Sequence, residues 1–593
     1  MAVGVAAALV TWAVVVVILM TIGMPWSLWS AVGSGIAATW RRSLWWGLGI
    51  LTIVVQTMSV FVALRSGSAA IGIAALALVS VLVAAIVRWH RRAQGQVLPV
   101  VSHSRRWSPL SVLLGVSGSV IALTFAIAAL GPVTNYDSGL YHLGAIAYAG
   151  DFPTIPGLAN LYFPLGYGTS TFPLAAVLGN GPWSGQGYRL LNGLILVMAL
   201  LDLCLRFRRP RVSAGSWVLL VGLTVTAVPL LWMPDYWVTS PTSDTGVLVL
   251  TVVSAGYLVD AVFGRRLCAP DAAVAAVISI VLTSMRPLMV IYAIAVIILV
   301  AALVIRRHLG HGWRFAAPIA VVGLAVIVVQ CLRDVRLSGW IQYPLSFIPV
   351  NVAWRAADPV VNRTATLGAA RDPNDLWNAA SGWSWITAWV ERLPSQWEFW
   401  IMALLLLAVI AITVTVSSAG QHMPWRRIGL TIIPAALTIL VWFLASPPSF
   451  RFAWGPLFVL GTVPLGIGLA TLARQYRSRW SQVPTLVASL AAGSLAMLAL
   501  ISMVVRVMPQ PHEGRIMLVL GSLTAEVPAA VPPTPTTHLL TLDGGLTVRV
   551  PADSDQCWAS YPLCTPVVAM DVVQRGPDLG DGFAIDHAAA SAG

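Results

Sequence analysis

The sequence predicts an all-α polytopic membrane protein of about fourteen transmembrane helices, carrying a small β-rich extracytoplasmic domain at its C-terminus. Three observations carry this expectation. Of 593 residues, 58% are hydrophobic and 10% charged, with a mean hydropathy of +0.83, which excludes a soluble enzyme. Apolar runs of about 20 residues, the length that crosses a hydrocarbon core, recur along the chain. Arginines gather between alternate runs, as topology signals do. The 35 basic and 22 acidic residues leave +13. In a soluble chain that balance suggests nucleic acid; set in short loops between spans it does not, and no nucleic-acid partner is expected. No lysine is present, a bias that fits a GC-rich bacterial genome.

In order, the runs are 5–24, 44–64, 69–87, 110–130, 190–207, 217–232, 245–263, 273–285, 288–305, 315–332, 400–416, 428–445, 456–473 and 486–505. The first lacks a basic leader and is followed by many of its kind, so it reads as a retained span rather than a cleaved signal. The eighth is short for a crossing, which leaves the count a margin of two. Arg41 and Arg42, then the arginines of 88–106, 206–211, 265–266, 306–314, 426–427 and 474–479, fall on one face if the spans alternate. That face is expected to be cytoplasmic, with both termini outside. The opposite face carries the long connections 131–189, 233–244, 333–398 and 447–454. Polar, aromatic and ionisable residues concentrate there, so the work of the protein is expected there too. The chain divides into N-terminal helices (1–108), a transmembrane core (109–506) and a tail (507–593).

The tail opens with a Pro-rich stretch, 527–535, and continues as LLTLDGGLTVRV, two short strands around a turn at Asp543, Gly544 and Gly545. Of the five cysteines, Cys204, Cys268 and Cys331 lie in or beside apolar runs. Cys557 and Cys564 share the polar tail and are expected to form a disulfide in an oxidising compartment.

Chemistry-bearing residues sit in the outer connections. Asp137 follows the fourth run directly, with Tyr136, Tyr141 and His142 beside it. A carboxylate at such a boundary can act as general base toward a hydroxyl or hold a divalent cation, magnesium or manganese; capping the following helix is its commoner use. If SGLYHLGAIAYAG is helical, its amphipathic face suits the membrane interface. Asp244 enters the seventh run at its outer end, where an acid needs a cap, a cation or a substrate as compensation; Asp235, flanked by aromatics, reads as a solvated loop acid. Arg286 and Arg451 break the charge rule by lying on the outer side. A guanidinium there can grip a phosphate or snorkel to headgroups, and two such exceptions are best explained jointly as an anionic site. In 333–398, Trp383, Trp385, Trp389, Trp397 and Trp400 read as an aromatic belt, whereas Trp340, Gln342 and Tyr343, farther from a span, are open to a substrate role.

YDSGLYHLGAIAYAGDFPTIPGLANL, SPTSDTG, RDVRLSGWIQYPLSF, PSFRFAWG, DQCWASYPLCTP and RGPDLGDGF resemble segments of a family of bacterial multispanning proteins regarded as GT-C-like. The resemblance runs from Asn135 onward and leaves the first three spans uncovered. It implies a GT-C type polytopic glycosyltransferase of the bacterial plasma membrane, whose core, 109–506, moves a sugar from a polyprenyl-phosphate donor to an envelope glycan, lipid or protein outside the cell. An actinobacterial polysaccharide such as an arabinan or mannan is one such acceptor. On this resemblance Asp137 is the base or catalytic acid-loop residue and Asp244 a second acid; the residues themselves add His142, Tyr141, Arg286, Arg451, Trp340, Gln342 and Tyr343 as the expected surroundings of the substrates. The chain departs from the pattern in lacking paired acids at Asp137, which is preceded by Asn135 and Tyr136, and in having only arginine for phosphate. A lipid-linked glycan flippase or transporter, or a polymerase or ligase, is the competing expectation; a transporter calls for internal symmetry, and none is evident.

Overall fold

The computed structural model describes residues 1–30, 36–95, 109–208, 212–264, 269–307, 313–475, 483–508 and 514–586. Cys268 and parts of several arginine clusters lie outside them. Every one of the fourteen apolar runs is helical: α1 (Ala2–Ser30), α2 (Ile36–Phe61), α3 (Gly67–Ala93), α4 (Pro109–Ala128), α5 (Leu191–Phe207), α6 (Ala214–Trp232), α7 (Ser243–Phe263), α8 (Ala269–Met285), α9 (Met289–Arg307), α10 (Trp313–Ser338), α11 (Trp397–Ser418), α12 (Trp425–Ala445), α13 (Trp454–Gln475) and α14 (Val483–Ser502). Twelve are long and apolar enough to cross a membrane. The exceptions are α8, already short in the sequence, and α9.

The bundle is organised around α7, whose residues from Asp244 to Val262 are all buried, against α5, α6, α8, α12 and α13. A helix apolar on every face belongs at the centre of such a bundle. Peripheral helices instead turn apolar side chains outward, as with Leu78, Leu82 and Ile86 of α3 and Leu404, Leu406 and Leu407 of α11; a bilayer is the solvent that such faces need. Close approach has its own requirement: a Cβ on Gly47 of α2 would fall 1.9 Å from the Leu19 carbonyl oxygen of α1.

At one end of the bundle, where α5 and α7 stop and α2, α6 and α8 start, six charged side chains are buried together. Arg206 Nε donates to Asp202 Oδ1 at 2.9 Å and its Nη1 to Asp260 Oδ2 at 2.6 Å. Arg41 Nη2 and Arg42 Nε both donate to Asp271 Oδ1, at 2.9 and 2.7 Å. Trp45 Nε1 donates to Asp202 Oδ2 at 2.7 Å and the Gly215 N–H to Asp260 Oδ1 at 2.9 Å. Tyr257 packs beneath Arg41 and Arg206, whose guanidinium carbons lie 4.9 and 4.2 Å from its ring centroid. Arginines expected to be loop signals are thus locked into the bundle by Asp202, Asp260 and Asp271.

Two further segments named in the sequence take definite shape in the fold. In the segment after Asp137, Ser138–His142 forms a π-turn and Leu143–Asp151 an α-helix, and Ile146 and Tyr148 of its amphipathic face are buried within the protein. The tail is built of short strands, as the sequence leads one to expect. It makes three separate antiparallel hairpins, β3 (Arg515–Leu520) with β4 (Leu523–Pro528), β5 (Thr537–Thr541) with β6 (Thr547–Pro551), and β7 (Val572–Gln574) with β8 (Phe583–Ile585); β1 (Trp340–Ile341) and β2 (Ile348–Pro349) pair earlier in the chain. Val527, Val548, Val572 and Phe583 of the tail join the main apolar core, so the tail caps the bundle without a core of its own. The Cys557–Cys564 disulfide is formed, with Cα atoms 5.8 Å apart.

Candidate functional site

At the opposite end of the bundle, α4, α8 and α12 stop and α7 and α13 start. Asp244 and Asp260 mark the two ends of α7, about 24 Å apart at 1.5 Å per residue. Four connections meet at the Asp244 end. Asp137, in the connection after α4, accepts from Arg451 Nη1 at 2.9 Å through Oδ2. Asp244 accepts from Arg286 Nη2 and, at 3.0 Å, from the Thr242 hydroxyl. Arg286 also donates through Nη2 to Ser243 Oγ at 3.2 Å and through Nη1 to the Arg451 carbonyl at 3.3 Å. Both guanidiniums lie over the ring of Phe452, 4.7 Å away for Arg286 and 5.1 Å for Arg451. Two acids and two arginines, from 107 to 314 positions apart along the chain for the pairs involving Asp137, therefore form one neutral quartet.

Neither acid caps a helix. Asp137 precedes the π-turn but its side chain makes no capping bond, and at α7 the cap is Thr242, whose hydroxyl accepts from the Asp244 N–H at 3.1 Å. The backbone beneath Asp137 is fixed by its neighbours. Ser240 Oγ accepts from the Thr134 and Asn135 N–H groups, both at 3.2 Å, and Asn135 Oδ1 from the Asp137 N–H at 3.0 Å. Asn192 of α5 holds the second connection through the Trp237, Ser240 and Thr242 carbonyls. π-turns recur at functional sites because the extra residue re-aims its neighbours; this one buries His142 while leaving Asp137 partly open.

Residues 6–458 match a family described as a domain of unknown function (DUF8201). The chain belongs to this family. The match begins in α1, where the motif resemblance does not reach, and includes all four quartet residues; it ends in α13, so the tail lies beyond it. No curated protein matches the chain.

Around the DUF8201 quartet, His142 Nδ1 lies 3.2 Å from Ser138 Oγ, and its ring packs edge-on against Tyr141 and beside Phe172. Burial pushes His142 down to about 4; Asp137 and Asp244 oppose that shift and Arg451 and Arg286 add to it. The ring is therefore neutral at physiological pH and is no proton donor there. Above about pH 6.5, the usual His value, folded and unfolded states are both neutral and the shift is without effect. As pH falls from about 6.5 toward 4, the unfolded chain takes up a proton that the folded ring refuses, and stability declines by about 3 kcal/mol. His142→Gln is expected to flatten that acid limb in thermal midpoints measured from pH 4 to 7; an unchanged slope would contradict it.

The family stretch also contributes residues that the sequence did not single out. The phenol of Tyr236 takes a hydrogen bond from the Tyr136 backbone, and burial raises it, with Arg451 opposing and Asp137 and Asp244 reinforcing the shift. Tyr141 is raised first by burial and then by Asp137, so two phenols face the quartet in protonated, donating form. The signal for Tyr236 was present in its position beside Asp235 in an outer, aromatic-flanked loop. Asp235 itself accepts from Thr134 Oγ1 at 3.1 Å.

Trp340, Gln342 and Tyr343, expected around the substrates, lie together in the connection after α10. Trp340 is buried and donates to the Ala356 carbonyl at 3.0 Å. Tyr343, also buried, packs against Phe163 and Tyr167 in a small satellite core. Gln342 occupies the turn between β1 and β2 at φ 69°. Tyr167 meets Tyr141 edge-on, at 5.6 Å between ring centroids, so this core supports the site from behind. In the aromatic belt, Trp385 is buried beneath Arg371, whereas Trp383 and Trp400 are exposed.

The tail forms the roof beside Asp137. The Tyr136 hydroxyl bonds to Asp555, which together with burial raises that phenol to about 12. Gln556 Nε2 donates to the Tyr136 carbonyl at 2.8 Å, and the Trp558 N–H to the Gly139 carbonyl at 2.8 Å. The Tyr148 hydroxyl accepts from the Leu563 N–H at 3.0 Å, and Tyr148 and Tyr561 pack edge-on. Gln556 and the disulfide loop that follows it thus hold the backbone on both sides of Asp137. A Cβ on Gly139 would fall 2.4 Å from the Trp558 indole. Gly139→Ala is therefore expected to loosen the tail and raise protease cleavage between 551 and 570, with Trp558→Ala added on top restoring room for the methyl; equal cleavage in wild type and Gly139→Ala would contradict this.

Proposed function

We propose that the protein is a GT-C type membrane glycosyltransferase with fourteen spans and both termini outside. It moves a sugar from a polyprenyl-phosphate donor to a hydroxyl of an envelope glycan, lipid or protein on the outer face of the bacterial plasma membrane. The observation that carries this reading is the meeting of Asp137, Asp244, Arg286 and Arg451 at one end of the bundle. A lipid phosphate bound where the helices end keeps its tail among the helices and its sugar in water, and a guanidinium at that level matches its charge.

The chemistry is one inverting displacement. Asp137 takes the proton of the acceptor hydroxyl, whose oxygen bonds to the anomeric carbon as the bond from that carbon to the phosphate oxygen breaks. The bonding pair leaves on the phosphate, where arginine offsets the charge. Phosphate is a good leaving group, so positioning and electrostatic stabilisation account for most of the rate gain. Tyr141 and Tyr236 supply hydroxyl donors for the sugar.

Among the described residues there is no group of three His, Cys, Asp or Glu side chains suited to a metal. A magnesium or manganese ion at Asp137 would have to replace Arg451, which already provides a positive charge there. Transfer is accordingly expected to persist in EDTA, measured after extensive chelation; a loss restored by added magnesium or manganese would assign the acid to a cation instead.

The reading is tested with protein in lipid nanodiscs supplied with radiolabelled polyprenyl-phosphate sugars and an envelope fraction. Label is expected to pass to acceptor with wild type and to stay on lipid with Asp137→Ala. Equal transfer by both removes Asp137 as base.

A further inference from the structure

The two ion pairs of the site differ in how firmly they are held. The Arg286 and Asp244 side chains are 14% and 4% exposed, those of Arg451 and Asp137 30% and 23%. The inner pair is tied further to Thr242, Ser243 and the Arg451 carbonyl. Separating a buried pair costs about 3–5 kcal/mol because a charge is left uncompensated, while a partly exposed pair contributes about 0–1 kcal/mol. A phosphate arriving from solvent or from the lipid headgroup layer therefore meets one exchangeable guanidinium, Arg451, and one that is already committed, Arg286.

We propose that Asp137 and a phosphate anion compete for Arg451, so that binding of the phosphate is the event that frees the Asp137 carboxylate. Arg451 gives Asp137 one N–H bond, through Nη1; a phosphate can accept two from the same planar fork, so the exchange favours the phosphate. Arg286 and Asp244 stay paired and hold Arg451 from its own carbonyl. Once released, Asp137 lies next to a new negative charge, and a like charge favours the protonated carboxyl, which makes it a stronger base than when it faced a guanidinium. Under the proposed transferase reading this imposes an order: the acceptor hydroxyl loses its proton only after the donor phosphate is seated, and the empty site is silent toward acceptors. Calling Asp137 a base rests on that reading; the exchange itself is a binding property and is tested without any sugar.

The test is calorimetric titration of nanodisc-embedded protein with a polyprenyl monophosphate and, separately, with inorganic phosphate. Asp137→Asn and Asp137→Ser each remove the competing negative charge and are expected to bind about two- to fivefold more tightly than wild type. Arg451→Gln is expected to lose at least tenfold. The same ranking with both probes assigns the site to phosphate chemistry from either source, and a ranking confined to the polyprenyl probe assigns it to the lipid. Unchanged or weaker binding in the two Asp137 variants overturns the exchange. If the ranking holds while no sugar is ever transferred, the exchange stands and the transferase reading fails.

Discussion

Asp137→Asn is expected to lower sugar transfer by about 10²–10⁴-fold, the usual contribution of a positioned general base, while leaving the protein folded. The substitution keeps the shape of the side chain and an oxygen toward Arg451, and the carboxylate it removes is partly exposed and makes no capping bond. Stability should change by less than about 1 kcal/mol. The decisive readout is kcat under saturating donor, with a matched gel-filtration profile to show that the variant is folded. Asp235→Asn serves as comparison: that carboxylate bonds to the Thr134 hydroxyl and has no arginine partner among the described residues, and its loss is expected to leave the rate within about twofold. A drop of similar size in both variants would point to a general disturbance of the loop.

The second large effect lies at the other end of the bundle. Asp202→Ala leaves Arg206, Arg41 and Trp45 facing a buried void where a carboxylate accepted from Arg206 and Trp45. Arg206 keeps Asp260, but the cluster then holds three buried arginines against two acids. Removing one member of a buried network of this kind costs about 3–5 kcal/mol, read as a lower thermal midpoint and poor recovery after detergent extraction. The paired change Asp202→Leu with Arg206→Leu is expected to be milder than Asp202→Ala alone, because it removes a charge of each sign. A double variant less stable than the single one would show that the cluster acts through something other than charge compensation.

What the sequence conveyed and what it withheld follow from the range of each signal. Helices were legible because a run of about 20 apolar residues is a local property, and all fourteen runs became helices. Arg286 and Arg451 were legible as candidates because each stands alone in a short connection on the side away from the short arginine-rich connections, and Asp137 and Asp244 because acids at span ends need compensation. Which acid meets which arginine was not, since 314 residues separate the members of one pair. The buried cluster at the other end of the bundle escaped notice for the opposite reason: Arg41, Arg42 and Arg206 belong to arginine clusters that the expected topology seemed to explain, and their partners Asp202, Asp260 and Asp271 sit singly near helix ends. The packing of Trp340 and Tyr343 was not legible because distance from a span says nothing about burial, and residues of the connection 333–398 join Ala159, Phe163 and Tyr167 of an earlier connection in one small core. The β5–β6 hairpin of the tail was signalled by the Asp543–Gly545 turn, but the docking of Trp558 on Gly139 and of Leu563 on Tyr148 depends on contacts across more than 400 positions.

The central claim, that the quartet is the seat of a lipid-linked donor, is tested most directly by a cryo-electron microscopy map of the protein in nanodiscs with a polyprenyl-phosphate sugar. The account predicts phosphate density within hydrogen-bond distance of Arg451, Asp137 turned away from that guanidinium, and Arg286 still on Asp244. Donor density elsewhere in the bundle, with Asp137 and Arg451 still paired, would contradict it.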